Sequence, residues 1–261
     1  MEIQKTNAFS NFYSAENCDF NYLYSDHLTF SKKLFVKVDE LFQKYNVKSI
    51  IDCCCGVGND LTYFAKKGYD VFGSDISFDM VDMAKKNLIK ENINPNIIQS
   101  DVLDIKNNIC SKFDLVIFRG NTLGHLNCDQ QGLAIDNLFS ITKSNGLIFI
   151  DFRNGQVYHR KKKGIELRGH GIDKHNSNVY FSYYLLVHPQ NIGEKYKIRS
   201  KTFIYDYRNL KFRSVYAETE AYYVIPNKIL ERISLNNGEV LFELMGKGGL
   251  QELQSFIILK K

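Results

Sequence analysis

The sequence predicts an α/β protein with a mostly parallel seven-stranded sheet, helices on both faces of that sheet, and an antiparallel β lobe inserted late in the chain. Up to Asn154, short β-branched runs alternate with segments of helical periodicity, which is the pattern of a parallel sheet. After Asn154, the runs are longer and rich in Tyr, Phe and Val, as antiparallel strands are. A glycine-containing turn after the first strand marks the edge of the sheet where ligands bind.

The elements of the parallel part follow one another with short connections. Residues 27–45 carry apolar side chains at helical spacing and predict an amphipathic helix. The elements after it alternate: strands at 47–53, 69–75, 95–100, 113–119 and 146–152, and helices at 59–67, 78–90 and 130–142. We expect helices to cover both faces of the sheet, because the strand segments are apolar throughout.

The second half of the chain has a different pattern. Residues 159–171 are basic and contain glycine, and predict a loop, whereas residues 178–224 predict several antiparallel strands. A helix with Pro226 at its start follows at 226–234, and two last strands at 240–245 and 255–259. We therefore predict a single domain over residues 1–261, with the β-rich lobe inserted at about 155–224.

The composition narrows the class of protein. The chain has 261 residues, of which 44% are hydrophobic, and this suits a globular protein with a sizeable core. A net charge of +5 suits an acidic small ligand and does not by itself indicate nucleic acid. The sequence shows neither a signal-peptide pattern nor an apolar run long enough for a membrane helix. Three of the six cysteines are contiguous, which disfavours a disulfide framework and favours a reducing, cytoplasmic location.

The stretch IIDCCCGVGND, residues 50–60, joins the first strand to the next helix. Gly56 and Gly58 would let the backbone approach a ligand that a Cβ atom would push away. A nicotinamide cofactor would need a third glycine after them, which is absent. Asp52 and Asp60 flank the loop and disfavour a pyrophosphate, so a cationic ligand without phosphate fits better.

A second and a third acidic residue follow the next two strands. Asp75 ends the second strand about twenty residues after the glycines, where it could accept hydrogen bonds from a ribose. Asp101 follows the third strand in the segment QSDVL, residues 99–103. The carboxyl ends of parallel strands meet at one edge, so we expect both carboxylates to lie beside the glycine loop.

Together these segments resemble motif I and the following acidic strand of class I S-adenosylmethionine-dependent methyltransferases, a family with a Rossmann-like fold. The usual loop of the family reads D-x-G-x-G-x-G, and Cys54 stands here where its first glycine is common. In the family, the carboxylate matching Asp101 hydrogen-bonds the adenine amino group. The resemblance implies S-adenosylmethionine as cofactor and the following cofactor-binding residues: Asp52, Cys54, Gly56, Gly58, Asp75, Ile76, Asp101, Val102 and Arg119.

Two polar segments after the fourth and fifth strands narrow the resemblance. They are FRGNTLGHL, residues 118–126, and IDFRN, residues 150–154. Both place an arginine after an apolar run, where arginine is costly unless it is paired or binds an anion. They resemble the glycine and sarcosine N-methyltransferases over roughly residues 12–154, with weaker matches at Phe12-Tyr13 and at residues 24–26.

This narrower resemblance implies three acceptor-side residues, which we take as the catalytic set. Arg153 would bind the carboxylate of the acceptor, Asn121 would lie near the acceptor, and Tyr223 would help to close its pocket. Other interpretations stay open: Arg153 could pair with Asp151, Asn121 could cap a turn, and His125 could be a core residue. Methyl transfer to an amine needs alignment more than a strong base, so we predict residues that position the acceptor and no general base.

The sequence therefore favours S-adenosylmethionine-dependent methyl transfer to a small molecule, with the amine of a small, carboxylate-bearing amino acid as the first candidate. Alternatives are O- or amino-sugar N-methyl transfer and a non-catalytic S-adenosylmethionine-binding module. Nucleic acid is disfavoured as a partner, because the segment after the fourth strand lacks the N/D-P-P-Y/F tetrapeptide of nucleic-acid amino methylases. We predict no membrane partner, allow a homo-oligomer, and predict no metal, since adjacent cysteines on a strand point to opposite faces.

Overall fold

The computed structural model describes residues 35–36, 38–155, 165–174, 177–187, 195–245 and 253–260. Within them the chain forms one sheet of seven strands and a separate antiparallel sheet of four. The strands are β1 (Ser49–Asp52), β2 (Asp70–Asp75), β3 (Ile97–Gln99), β4 (Phe113–Phe118), β5 (Thr142–Arg153), β6 (Ile165–Asp173), β7 (Asn178–Val187), β8 (Lys195–Asp206), β9 (Lys211–Tyr222), β10 (Gly238–Met245) and β11 (Leu253–Lys260). The segments at 12–13 and 24–26 that carried part of the resemblance lie outside the described residues.

The helices lie between these strands. Helix α1 covers residues 35–36 and 38–44, the described part of the helix predicted at 27–45. The others are α2 (Asn59–Lys66), α3 (Phe78–Lys90), α4 (Ile105–Asn108), α5 (Cys128–Ser140), α6 (Pro226–Leu235) and a 3₁₀ helix (Thr122–His125). The bounds predicted for α3 are confirmed, and its start is fixed by Ser77, whose hydroxyl accepts a hydrogen bond from Met80 N. Within the described residues, no helix is both long enough and apolar enough to cross a membrane.

The larger sheet has the strand order β10-β11-β5-β4-β1-β2-β3. The five strands from β5 to β3 pair in parallel, as predicted. The parallel pairing ends at β5, because β11 pairs antiparallel with β5 and with β10. The carboxyl ends of β1 to β5 therefore form one continuous edge, and the predicted site residues other than Tyr223 lie along this edge or in the turns that follow it.

Two apolar clusters cover the two faces of this sheet. Val116 and Phe118 of β4 face one cluster, with side chains of α5 and α6, while the alternate residues Leu115 and Ile117 face the other, with side chains of α1, α2 and α3. The prediction of helices on both faces is thereby confirmed. The burial of β1, β4 and β5 on both sides explains why their sequences are nearly continuous apolar runs.

The smaller sheet is a meander in the order β6-β7-β8-β9, and we call it the lobe. The loop predicted at residues 159–171 is wrong for residues 165–171, which belong to β6; residues 159–164 lie outside the described residues. Gly169 and Gly171, which suggested a loop, pair with Ser182 and Tyr180 of β7. Backbone pairing with a neighbouring strand thus overrides the weak local preference of glycine for a strand.

Candidate cofactor and acceptor site

Three aspartates follow the same local rule at the ends of β1, β2 and β3. One carboxylate oxygen of Asp52, of Asp75 and of Asp101 accepts a hydrogen bond from the backbone N–H two residues later, at N···O distances of 3.1, 3.0 and 2.9 Å. This is the Asx turn that aspartate favours where a strand ends. Each carboxylate is thus positioned by its own neighbours in the chain.

Asp75 also connects β2 to the glycine loop. Its Oδ2 accepts a hydrogen bond from Gly56 N at 2.9 Å, while its Oδ1 is held by Ser77 N. Only 9% of the residue is exposed, and burial raises the pKa of its carboxyl group. Each oxygen keeps a further lone pair, so the carboxylate can still accept hydrogen bonds from a ligand hydroxyl.

The two glycines of the loop are required for different structural reasons. Gly56 has φ +50°, and a Cβ atom placed on it would meet no heavy atom within 4 Å. Gly58 has φ +82°, and its Cβ would lie 2.8 Å from Leu88 Cδ1 and 3.2 Å from Ala84 Cβ. Gly58 is therefore needed for the packing of α3 against the loop, whereas Gly56 opens the backbone as predicted for a ligand-facing position.

The three adjacent cysteines are packing residues in this structure. Cys53 belongs to one core cluster and Cys55 to the other, and Cys54 packs at the edge of the first. Burial raises the pKa of all three thiols well above the usual value, so none is a thiolate at neutral pH. The Thr122 hydroxyl hydrogen-bonds the Cys54 thiol. Among the described residues, no cluster of His, Cys, Asp or Glu side chains could hold a metal ion.

Arg119 lies in a buried ion network. Its Nη1 donates to Asp60 Oδ2 at 2.7 Å and its Nε to Asp151 Oδ2 at 3.2 Å. The guanidinium carbon lies 4.9 Å from the ring centroid of Phe35 and 5.2 Å from that of Phe149. These contacts offset the desolvation free energy of burying an arginine after β4. Contact between Arg119 and the cofactor stays a prediction.

Burial dominates the electrostatics of Asp52. It raises the pKa of Asp52 to about 8, and the nearby carboxylate of Asp60 adds to this, while the hydrogen bond from Cys54 N and the charge of Arg119 oppose it. A positively charged ligand beside Asp52 would lower this pKa and favour the ionised carboxylate. Binding of a cation at the loop stays a prediction.

Asn121 holds the turn after β4 against the end of β5. Its backbone has φ 61°, its N–H donates to Asp151 Oδ1 at 2.9 Å, and its Oδ1 accepts from Arg153 N at 2.7 Å. The amide oxygen is thus engaged with the backbone of β5, which supports the turn-capping interpretation of Asn121. Asp151 bonds both Arg119 and Asn121, so one carboxylate positions two of the predicted site residues.

His125 lies at the end of the 3₁₀ helix, close to the side chain of Arg153. Burial lowers the pKa of His125 to about 4, and the positive charge of Arg153 lowers it further in the same direction. The imidazole is therefore neutral at neutral pH and a weak base. This environment makes His125 a poor candidate for a general base.

Tyr223 is buried beside the end of β5. It is 6% exposed, its ring centroid lies 4.9 Å from that of Tyr196, and burial raises the pKa of its hydroxyl to about 12. Asn154 forms a parallel bridge with Val224, and Gly155 N donates to Val224 O at 2.7 Å. The structure thus brings Tyr223 next to the Arg153-Asn154 segment and buries most of its ring in a cluster of the lobe; its role in closing an acceptor pocket stays a prediction.

The residues that follow Asp75 and Asp101 differ in exposure. Ile76 is 37% exposed at the end of β2, while Val102 is 5% exposed and its carbonyl accepts from Asn137 Nδ2 at 3.0 Å. Ile76 therefore offers an apolar surface to a flat ring between the ends of β2 and β3. Val102 can offer its backbone there, because its side chain belongs to the core.

One contact of the site was not predicted from the sequence. Val57 of the glycine loop and Met80 of α3 form an apolar cluster with Tyr180 and Ile204 on the lobe. The lobe thus rests directly on the loop that is predicted to meet the cofactor. More than 120 residues separate Val57 from its partners on the lobe, Tyr180 and Ile204. No local pattern in the sequence could therefore predict this contact.

Comparison with known proteins shows that the chain is similar to methyltransferases. A family model described as "Methyltransferase domain" matches residues 50–146, which contain the glycine loop and the ends of β1 to β4. The chain is 26% identical over 155 residues to the glycine/sarcosine N-methyltransferase of Parasynechococcus marenigrum, covering 59% of this chain and 52% of that protein. The chain spans about half the length of the curated relatives it matches.

Solved structures share most of the fold at lower identity. A S-adenosylmethionine-dependent methyltransferase from Clostridium acetobutylicum has a TM-score of 0.71 and 15% identity, covering 85% of this chain and 89% of that one. CalS10, an amino pentose methyltransferase from Micromonospora echinaspora, has a TM-score of 0.70 and 12% identity, covering 88% of this chain and 91% of its own. These similarities establish a Rossmann-like methyltransferase fold with a separate antiparallel sheet.

Proposed function

Because the chain carries a class I S-adenosylmethionine-dependent methyltransferase domain, we propose that it transfers the methyl group of S-adenosylmethionine to the amine of a small molecule. The observation that carries the proposal is the row of Asp52, Asp75 and Asp101 at the ends of three adjacent parallel strands, beside the open backbone of Gly56. When bound, S-adenosylmethionine supplies a methyl group on a positively charged sulfur, which a site rich in carboxylates accommodates.

Each residue of this row has a role that its contacts support. Asp75 is positioned to accept hydrogen bonds from ribose hydroxyls, because both of its oxygens are aligned by backbone N–H groups. We propose that the exposed Ile76 contacts the adenine and that Asp101, held by Leu103 N, accepts from its amino group. Gly56 would let the loop approach the cofactor, and Asp52, once ionised, would stabilise the sulfonium and ammonium charges.

The acceptor proposed first is the amine of a small amino acid such as glycine or sarcosine. The nitrogen lone pair would attack the methyl carbon as the carbon–sulfur bond breaks, and the nitrogen would then release its proton to solvent. Alignment of the two reactants supplies much of such a rate enhancement, about 7–11 kcal/mol at best. Arg153, at the end of β5, is the cation proposed to hold the carboxylate of the acceptor.

His125 favours transfer to nitrogen over transfer to a hydroxyl oxygen. A hydroxyl acceptor needs a base to remove its proton, but the pKa of His125 is lowered to about 4 by burial and by Arg153. An amine that binds in its neutral form already has a lone pair. The proposed reaction therefore needs a site that positions the amine and excludes water. It does not need a protein group that accepts a proton.

Titration calorimetry with S-adenosylmethionine and with its demethylated product tests the cofactor assignment. We expect saturable binding of both ligands, and loss of at least tenfold in affinity for Asp75→Ala. Asp70→Ala is a matched control, because Asp70 lies at the exposed opposite end of the same strand. Absence of saturable binding by either ligand would contradict the proposal at its first step.

A methylation assay over glycine, sarcosine, other amines, amino sugars and phenols tests the acceptor. We expect transfer to a carboxylate-bearing amine, and Arg153→Ala should raise the acceptor KM at least tenfold while cofactor affinity stays within twofold. Arg208→Ala, on an exposed turn of the lobe, is the control. An equal loss of cofactor affinity in Arg153→Ala would mean that Arg153 serves the cofactor instead.

The second candidate is N-methyl transfer to an amino sugar. The amino pentose methyltransferase CalS10 shares the fold over 88% of this chain, whereas the similarity to the glycine/sarcosine relative covers 59%. An amino sugar also presents an amine that needs no base. Product with amino sugars and none with amino acids would select this candidate, and product with phenols alone would refute transfer to nitrogen.

A further inference from the structure

The two faces of the lobe differ in what covers them. Along β8, the residues of one face are buried: Tyr196, Ile198, Ser200, Thr202 and Ile204. This inner face carries the cluster that rests on Val57 and Met80. The alternate residues of β8 point the other way and are exposed or partly exposed, and the face that they form is here called the outer face.

One end of the outer face is a continuous apolar surface. The strand register places Ile172, Val179, Tyr205 and Phe212 side by side across all four strands, with exposed fractions of 56, 37, 38 and 65%. None of these four side chains carries a charge. The row therefore exposes large apolar groups where a single-layer sheet would otherwise face water with polar side chains.

The next rows extend this surface. Phe181 is 48% exposed and is paired with Phe203, whose ring stacks on Phe212 at 5.7 Å between centroids. Tyr216, on β9, is 58% exposed. The aromatic side chains thus form one ordered patch and not scattered single residues.

The opposite end of the outer face is charged. Lys195 pairs with Glu220 at 2.7 Å, and Lys197 and Arg199 share Glu218 at 3.1 and 2.8 Å. Lys201 lies between these pairs and the apolar end, with its Nζ 5.3 Å from the ring centroid of Phe203. Three cations on two carboxylates, together with Lys201, leave this end with excess positive charge, so a test with anionic vesicles is needed beside the test for a second copy.

The apolar area is close to what one side of a stable interface requires. A standard interface removes about 800 Å² from each partner, a little over half of it apolar. If a buried aromatic side chain contributes about 200 Å², the exposed fractions of Phe181, Tyr205, Phe212 and Tyr216 alone correspond to roughly 400 Å². An apolar patch of this size is comparable to the largest patch on a typical monomer, about 300–600 Å², and such a patch is often a functional surface.

From these observations we propose that the outer face of the lobe binds the outer face of a second copy of this chain, around a two-fold axis through the aromatic patch. A two-fold interface needs a surface that is complementary to itself, and the uncharged row of Ile172, Val179, Tyr205 and Phe212 meets this need. The charged rows then lie toward the rim. The lobe becomes the middle layer between the larger sheet's domain and the second copy, and this assembly does not depend on the reaction proposed above.

Sedimentation velocity over a concentration series of the full chain tests the proposal. We expect a dimer at micromolar concentration, and a dissociation constant at least 100-fold higher in Phe212→Glu and in Phe181→Lys. Ile89→Glu is the control, because Ile89 is 59% exposed on α3, outside the lobe, and should leave the dimer unchanged. Circular dichroism and a thermal melt of each variant show whether the fold is kept. Because the two substitutions lie on different strands, the test still holds if one variant misfolds.

Three results would overturn the proposal. The wild-type chain could stay monomeric up to about 100 µM, or the dimer could survive both folded variants and so use another face. The third is co-sedimentation of the wild-type chain with anionic phosphatidylserine vesicles, if Phe212→Glu abolishes it and the wild-type chain forms no dimer without vesicles. That result would assign the patch to a lipid surface instead.

Discussion

The cofactor side and the acceptor side of the sheet edge are held in place in different ways. At the ends of β1, β2 and β3, each aspartate is positioned by the N–H two residues further along its own strand end. At the ends of β4 and β5, Arg119, Asn121 and Arg153 are positioned by partners 30 to 59 residues away, with Asp151 in the middle. A site made of local turns is present in the sequence as a motif, whereas a site made of distant partners depends on the fold.

This difference predicts opposite consequences for two aspartates. Asp151→Ala should lower the free energy of unfolding by about 3–5 kcal/mol, because it leaves Arg119 buried with one partner fewer and leaves Asn121 N without its acceptor. Asp101→Ala should change it by about 1 kcal/mol or less and should instead weaken cofactor binding. Urea titrations measure the first effect, and calorimetry the second.

Asp151→Asn is the matched control for that pair, since its amide oxygen can still accept from one of the two N–H donors. We expect it to recover part of the stability that Asp151→Ala loses. Equal loss of stability at positions 101 and 151 would remove the distinction between the two sides of the edge.

The two glycines of the loop sharpen the comparison within the cofactor side. Gly58→Ala should cost about 2–4 kcal/mol, from a left-handed backbone and a clash with Leu88 and Ala84. Gly56→Ala should cost about 1–2 kcal/mol, because only the backbone strain applies, yet it should weaken cofactor binding at least tenfold. Thermal melts with and without S-adenosylmethionine separate the two effects, and a larger stability loss at Gly56 would reverse our assignment.

Asp52 gives the cofactor side a pH dependence. The pKa of Asp52 is about 8 in the folded protein against an ordinary 3.8, so the folded state holds a proton that the unfolded state has released between these values. Its contribution to stability is fully present below pH 4 and is lost as the pH rises through 8. We expect the melting temperature of the ligand-free protein to fall more between pH 5 and pH 8 than that of Asp52→Asn. A wild type and a variant with parallel profiles would contradict this.

The smallest effect is expected at Cys54. Cys54→Ala should leave methyl transfer within about threefold and stability within about 1–2 kcal/mol, because the thiol is a packing group and is not ionised. A thiol-labelling reagent should modify the exposed Cys110 and Cys128 in the native protein, while residues 53–55 react only on unfolding. Loss of activity in Cys54→Ala with intact cofactor binding would return the thiol to the chemistry.

The sequence predicted the parts of the fold whose signals are local. The parallel strands and α3 follow from apolar runs and helical periodicity, and the three aspartates were found because each directly follows a predicted strand. Strand β6 was missed, because its glycines have no local strand preference and it forms only by pairing with β7. The sequence marked Arg119 as costly to bury, but its partners Asp60 and Asp151 lie on other elements and carry no signal toward it.

The point where the lobe leaves and rejoins the larger sheet has a practical consequence. Asn154 and Val224 lie side by side in a parallel bridge, and Gly155 N bonds Val224 O. The excursion between them therefore begins and ends at one place, and for such an excursion each doubling of length adds only about 0.6 kcal/mol of closure entropy. A lobe of another size could be inserted at this junction without changing the strand pairing of the larger sheet. The junction is therefore the place at which to replace the part of the lobe that covers the glycine loop.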